Sequence, residues 1–180
     1  LSSAASDVYK RQKQYYIDDA DFENIVRIIH ICGTALEESA RTFNRFNEEE
    51  LRDYIKGMLT SHYENAVTGE TFRRVGKTDI QIQRDDKAAF IAECKVWHGI
   101  KLFSDAIDQL FCYATWKDTK LSLVVFNKDN KNFAGIQQQV QNWIKENCKS
   151  YKQWNSNIWD CVKYREDTGR DVRLAIALYD

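Results

Sequence analysis

Proline is absent from the 180 residues, where average usage of about 5% would place about nine. That absence excludes cis-proline turns and polyproline linkers. The five cysteines, Cys32, Cys94, Cys112, Cys148 and Cys161, are odd in number and widely spaced, and no CxxC pair or Cys/His pair of zinc-ligand spacing occurs among them. A disulfide scaffold and a zinc finger are therefore excluded, and a reducing cytoplasm is the expected compartment. With only His30, His62 and His98 in the chain, none in HxxxH or HExxH spacing, a zinc hydrolase is not expected. No apolar run approaches the roughly 18 to 20 residues that a membrane span needs, and no signal-peptide pattern opens the chain. Charge of one sign is lacking too: the net charge is −1, which does not announce a chain-wide field for nucleic acid.

What is present is enough to fold. Apolar residues make up 43% and charged residues 29%, so the chain can bury a core and is neither a disordered tail nor a fibrous repeat. Its length suits one domain, or one domain plus part of another. The small net charge is unevenly spread: residues 70–101 carry 7 basic and 5 acidic groups, whereas residues 1–69 carry 8 and 12. A polyanion should therefore be held locally, by the middle segment.

The first residues call for separate treatment. Asp7-Val8-Tyr9-Lys10-Arg11-Gln12 is what GAT GTG TAT AAG AGA CAG encodes, and that string resembles the mosaic-end adapter of transposon-based library preparation. On that reading residues 1–12 are a non-native scar on a metagenomic fragment, and residues 13–46 are the helical stub of a larger N-terminal region.

Beyond Asp21, the spacing of Phe22, Ile25, Val26, Ile28, Ile29 and Cys32 predicts a helix that Gly33 terminates. Asn47 with Glu50 three residues on forms a capping box, and Leu51, Tyr54, Ile55, Met58 and Leu59 mark the face of a second helix. Three strands are expected next, over Glu70–Val75, Thr78–Gln83 and Ala88–Val96, with turns at Gly76-Lys77 and Arg84–Lys87. A helix over about Leu102–Trp116 follows, then a buried strand at Leu121–Phe126 and a helix carrying Phe133, Ile136, Val140, Trp143 and Ile144. Two strands, Ile158–Tyr164 and Val172–Tyr179, close the chain. The order is α, then αβββαβ, then αββ, an α/β fold.

Two carboxylates and a lysine fall on adjacent strands of this scheme: Asp79 in Gly76-Lys77-Thr78-Asp79-Ile80, and Glu93 and Lys95 in Ile91-Ala92-Glu93-Cys94-Lys95. Side chains alternate across a strand, so Glu93 and Lys95 share a face and Cys94 points to the other. Charges in segments this apolar are costly unless paired or bound to metal. Two hard carboxylates with a nearby backbone carbonyl suit Mg²⁺ or Mn²⁺, and an ammonium beside them suits charge developing on a phosphoryl group.

This D…ExK pattern across a hairpin, bracketed by helices in αβββαβ order, resembles the PD-(D/E)xK, or restriction-endonuclease-like, nuclease superfamily. Gly69-Glu70-Thr71-Phe72, Phe90-Ile91-Ala92-Glu93-Cys94-Lys95-Val96-Trp97 and Ala106-Ile107-Asp108-Gln109-Leu110 are similar to an uncharacterised prokaryotic group within it, and Gln109-x-x-x-Tyr113 resembles the QxxxY element of RecB-type nucleases. The likeness covers roughly residues 47–127 and departs from the pattern at Thr78, where proline usually stands. It implies a mixed central sheet flanked by helices, a nuclease domain over residues 47–180 with an N-terminal helix before it and a C-terminal αββ extension, and Mg²⁺- or Mn²⁺-dependent hydrolysis of DNA in defence against foreign DNA or in repair. Asp79, Glu93 and the Cys94 carbonyl would hold the metal, Lys95 would be the catalytic lysine, and Gln109 would position substrate or water. A helical glutamate would join the metal site: Glu50, with Glu48 and Glu49 equally placed.

Arg73, Arg74, Lys77 and Lys101 flank the triad and are the phosphate-contact candidates, with Tyr113 against the sugar-phosphate chain. Cleavage of two strands by one site per chain is simplest in a homodimer. A catalytically silent nucleic-acid-binding domain of the same fold, and a nuclease acting on RNA, are the alternatives. Trp143, Trp154 and Trp159 offer rings for stacking on single-stranded bases, against the more ordinary role of core packing.

Overall fold

The computed structural model describes residues 17–63, 67–69, 72–73, 76–77, 80–84, 87–114 and 119–180. Among them five helices and nine strands follow in order: α1 (Asp19–Glu38), α2 (Ala40–Phe43), α3 (Glu48–His62), β1 (Val67–Gly69), β2 (Phe72–Arg73), β3 (Gly76–Lys77), β4 (Ile80–Arg84), β5 (Lys87–Val96), α4 (Ile100–Tyr113), β6 (Lys120–Phe126), α5 (Phe133–Asn147), β7 (Ser150–Gln153), β8 (Ile158–Arg165) and β9 (Arg170–Tyr179). Seven strands make one mixed sheet in the order β1-β4-β5-β6-β9-β8-β7, and β2 and β3 pair separately. β5, β6 and β9 run parallel, and the flanking pairs are antiparallel. The α/β expectation is thus met.

The parallel centre is covered on both faces, which is why its strands are almost continuously apolar. One face, with Phe90, Ala92, Cys94, Val124, Phe126, Ala177 and Tyr179, packs beneath α1 and α3. The other, with Ile91, Leu121, Leu123, Val125, Leu174, Ile176 and Leu178, packs beneath α4 and α5. Asp18 caps α1 by accepting from the Asp21 amide at 2.7 Å, and α3 starts on the expected capping box, Asn47 and Glu50 each accepting the other's backbone N–H at 2.9 and 2.8 Å.

Several elements differ from the sequence expectation: α2 and β1 were not anticipated, and Arg84 and Lys87, expected in a turn, end β4 and begin β5. Gly33 does not end the first helix, which runs on to Glu38. The glycine is there because the Tyr179 ring lies against the helix: a Cβ at residue 33 would sit 2.2 Å from its Cζ. Gly76-Lys77 is a strand, hydrogen-bonded back on β2, and a ladder this short carries no hydrophobic alternation for a sequence to display. β7 was not foreseen because all four of its residues are exposed, so it has no apolar face. Residues 1–12 lie outside the described residues. From Phe22 to Leu36, α1 belongs to the same hydrophobic cluster as β4, β5, β6 and β9.

Candidate active site

The site forms where β5 ends. Because β5 is sandwiched between β4 and β6 and covered on both faces, Glu93 is only 1% exposed. A carboxylate so placed needs a partner, and the two-residue period of the strand supplies one: Lys95 Nζ lies 3.0 Å from Glu93 Oε1. Lys95, one residue from the end of the strand, is half-buried, so its ammonium reaches the surface while its stem packs on the sheet. Cys94 between them turns into the opposite core, as alternation requires.

A second carboxylate arrives from outside the sheet. Glu48, the first residue of α3, accepts from the Val96 amide at 3.0 Å through Oε2, and its Oε1 stands 3.4 Å from Lys95 Nζ. Lys95 therefore sits between a buried carboxylate on its own strand and a half-exposed one on a helix.

Lys95 and Glu48 open on a cleft of about 200 Å³ at the C-terminal edge of β5 and β6, lined on the far side by Asp105 and Gln109 of α4. The chain enters α4 through Gly99 at φ 102°, a left-handed conformation that favours glycine and lets the chain reverse directly after Trp97 and His98. Gln109 is exposed and donates through Nε2 to the Tyr113 hydroxyl at 2.5 Å. Tyr113 itself is 3% exposed. It holds the amide from beneath, and its ring belongs to the core, not to a surface that a sugar-phosphate chain would touch.

Of the residues singled out in the sequence, Glu48, Lys95 and Gln109 line one cleft, and buried Glu93 is held against Lys95 behind it. Lys101 is exposed on the first turn of α4. Asp79 and Arg74 lie outside the described residues, and Arg73 and Lys77 fall in β2 and β3. Asp79 is the residue before Ile80, which pairs with Ala92, the residue before Glu93. The helical glutamate at the site is Glu48, not Glu50, whose carboxylate is taken by the Asn47 amide. The one signal in the sequence that separates the two is the capping box itself, which commits Glu50 elsewhere. Trp143 and Trp159 are buried, and Trp143 donates to the Ser104 hydroxyl at 3.1 Å.

Glu48 and Glu93 are hard oxygen donors of the kind Mg²⁺ and Mn²⁺ prefer. Among the described residues no group of three or more His, Cys, Asp or Glu side chains stands close enough to hold a metal ion. Comparisons with family models, with curated proteins and with solved structures give no match. Among the described residues no helix is long and apolar enough to cross a membrane.

Proposed function

We propose that this chain is a divalent-metal-dependent nuclease of the PD-(D/E)xK kind, hydrolysing DNA phosphodiester bonds in the cleft at the end of β5. The observation that carries the reading is the pairing of buried Glu93 with half-exposed Lys95, 3.0 Å apart, where Lys95 lines a cleft. That cleft lies off the carboxyl ends of parallel strands, where open α/β sheets bind their ligands.

In this reading Glu93, the Cys94 carbonyl and Asp79 hold the cation, and Glu48 adds a carboxylate from α3. When bound, Mg²⁺ or Mn²⁺ supplies Lewis acidity at a phosphoryl oxygen and a lowered pKa for an attacking water. The Lys95 ammonium neutralises charge that builds on the phosphoryl oxygens in the transition state. Gln109, its amide fixed by Tyr113, orients a water or a non-bridging oxygen from the opposite wall. Lys101 and the basic residues Arg73, Arg74 and Lys77 contact phosphates on either side, and a homodimer places one such site on each strand of a duplex.

One observation favours the alternative, a catalytically silent nucleic-acid-binding domain: Lys95 already stands against Glu48 and Glu93, two of the three carboxylates assigned to the cation. A single assay separates the two. Purified protein is incubated with supercoiled plasmid, linear duplex, single-stranded DNA and RNA in Mg²⁺, Mn²⁺ or EDTA. The nuclease reading expects cleavage abolished by EDTA and lowered about 100- to 1,000-fold by Lys95→Ala or by the isosteric Glu93→Gln, the scale of losing one pre-placed charge-stabilising group. Identical behaviour of wild type and both variants on every substrate overturns it.

A further inference from the structure

Among the described residues a second cavity lies away from the cleft at Lys95. A groove of about 620 Å³ lies between α1 and the turn that joins β7 to β8, within the size range of small-molecule sites. Arg27, His30, Lys152, Trp154 and Asn155 line it. We propose that this groove is a stacking site for a nucleotide unit of single-stranded nucleic acid, the base lying on the Trp154 ring and the phosphates on Arg27 and Lys152.

The turn presenting Trp154 is rigid for stated reasons. The Trp154 amide donates to the Ile158 carbonyl at 2.9 Å. Asn155 Oδ1 accepts from the amides of Asn157 and Ile158 at 2.8 and 3.0 Å, and Asn157 Nδ2 donates to the Leu178 carbonyl at 2.7 Å. The indole is half-buried, packed against the core cluster on one side while lining the groove. A ring held in this way loses little freedom on binding, and every base offers a face to it.

The charges suit an anion. Arg27 donates to Asn24 Oδ1 at 2.6 Å, and Asn24 is itself held by the Tyr63 hydroxyl at 2.8 Å, so the guanidinium is fixed at the rim. Lys152 is exposed across the groove. Glu23, an acid on the lining, is turned toward Arg173 at 3.0 Å, a guanidinium it shares with Asp19 and Asp160, and so offsets only part of the charge of Arg27 and Lys152. His30 adds no charge. Because Asn155 Oδ1 is committed to the backbone, its Nδ2 faces His30 Nε2 at 3.2 Å, which must accept. The imidazole is then the neutral tautomer with Nδ1–H toward the Tyr179 hydroxyl at 3.2 Å, and burial pushes its pKa below the usual range in the same sense.

The inference does not depend on the nuclease reading, and its test avoids cleavage altogether. Fluorescence anisotropy of a labelled short oligothymidylate is measured in EDTA. Trp154→Ala should weaken binding about tenfold or more, with Trp154→Phe recovering most of it. Far-UV circular dichroism and the urea midpoint verify that each variant is folded. The double variant Arg27→Ala/Lys152→Ala should flatten the slope of log affinity against log salt by about 1.4, for two phosphates on a single strand. Folded Trp154→Ala and Arg27→Ala/Lys152→Ala proteins that bind like wild type overturn the proposal, and so does wild type that does not bind. Displacement of the oligonucleotide by polyglutamate as readily as by unlabelled oligothymidylate also overturns it, because it would mark a site for acidic peptides. Oligothymidylate binding that needs Trp154 in a protein that cleaves nothing would count against the nuclease reading alone. Cleavage in Mg²⁺ by a protein whose binding ignores Trp154 would count against this inference alone.

Discussion

Gly33 and Gly57 are both interior glycines of long helices, and propensity alone would have alanine improve each by roughly 0.5 to 1 kcal/mol. Packing reverses the sign at one of them. At Gly57 an added Cβ meets nothing within 4 Å, whereas at Gly33 it meets three carbons of the Tyr179 ring at 2.2–2.4 Å. That ring cannot step aside, because it is fully buried and packed beside Phe126, with centroids 5.7 Å apart, and beside His30. Forcing a methyl into such a contact costs about 1 to 3 kcal/mol, which outweighs the helical gain. Gly57→Ala should therefore raise the urea midpoint and Gly33→Ala should lower it, with unchanged m-values. Two shifts of the same sign would mean that Tyr179 does not fill the slot.

At the scale of elements, the start of α3 joins the fold to the cleft. The capping box spends Asn47 and Glu50 on backbone amides, and the fixed first turn then delivers Glu48 to the Val96 amide and Lys95. Glu48→Gln keeps an acceptor for Val96 and removes only the charge opposite Lys95. Half-exposed pairs of this kind contribute about 0 to 1 kcal/mol, so the midpoint should hardly move. On the proposed function, cleavage in Mg²⁺ should fall at least about tenfold, consistent with loss of a charge at the reacting centre. Glu50→Gln, which touches only the cap, should leave the cleavage rate unchanged, and the opposite pattern would return the role to Glu50. The capping box was legible in the sequence because it is local, as were β6 and the helices whose apolar residues recur at helical spacing. What was not legible depended on approach from elsewhere: Gly33 on a tyrosine at the far end of the chain, Glu48 on the angle at which α3 meets β5, and β7 on pairing with β8 by backbone alone. Glu93 and Lys95 could be placed on one face from period-2 alternation, but nothing local foretold that Tyr113 would turn inward and hold Gln109.

For the whole molecule, the question is whether α1 is an appendage or part of the domain. The sequence suggested the former, setting residues 13–46 apart from a domain over residues 47–180. The structure buries Phe22, Ile25, Val26, Ile28, Ile29 and Leu36 of α1 in the cluster shared with β4, β5, β6 and β9. Phe22 lies 6.2 Å from Phe90 between ring centroids, and Arg173 of β9 reaches Asp19 and Glu23 at 2.8 and 3.0 Å. The ion pairs are exposed on the carboxylate side and contribute little. The six apolar side chains argue for the latter: at about 1.5 to 3 kcal/mol each they amount to an upper bound of roughly 9 to 18 kcal/mol. That is as large as the whole stability of a typical domain, about 5 to 15 kcal/mol. A chain reduced to residues 47–180 would also expose one face of its parallel centre, where Phe90, Phe126 and Tyr179 lie. It should therefore show no cooperative urea transition by circular dichroism and should bind hydrophobic dyes, while residues 17–180 unfold in one step. A single sharp transition in the shorter chain, with a midpoint close to that of the longer one, would establish α1 as an addition to a self-sufficient sheet and restore the boundary at residue 47.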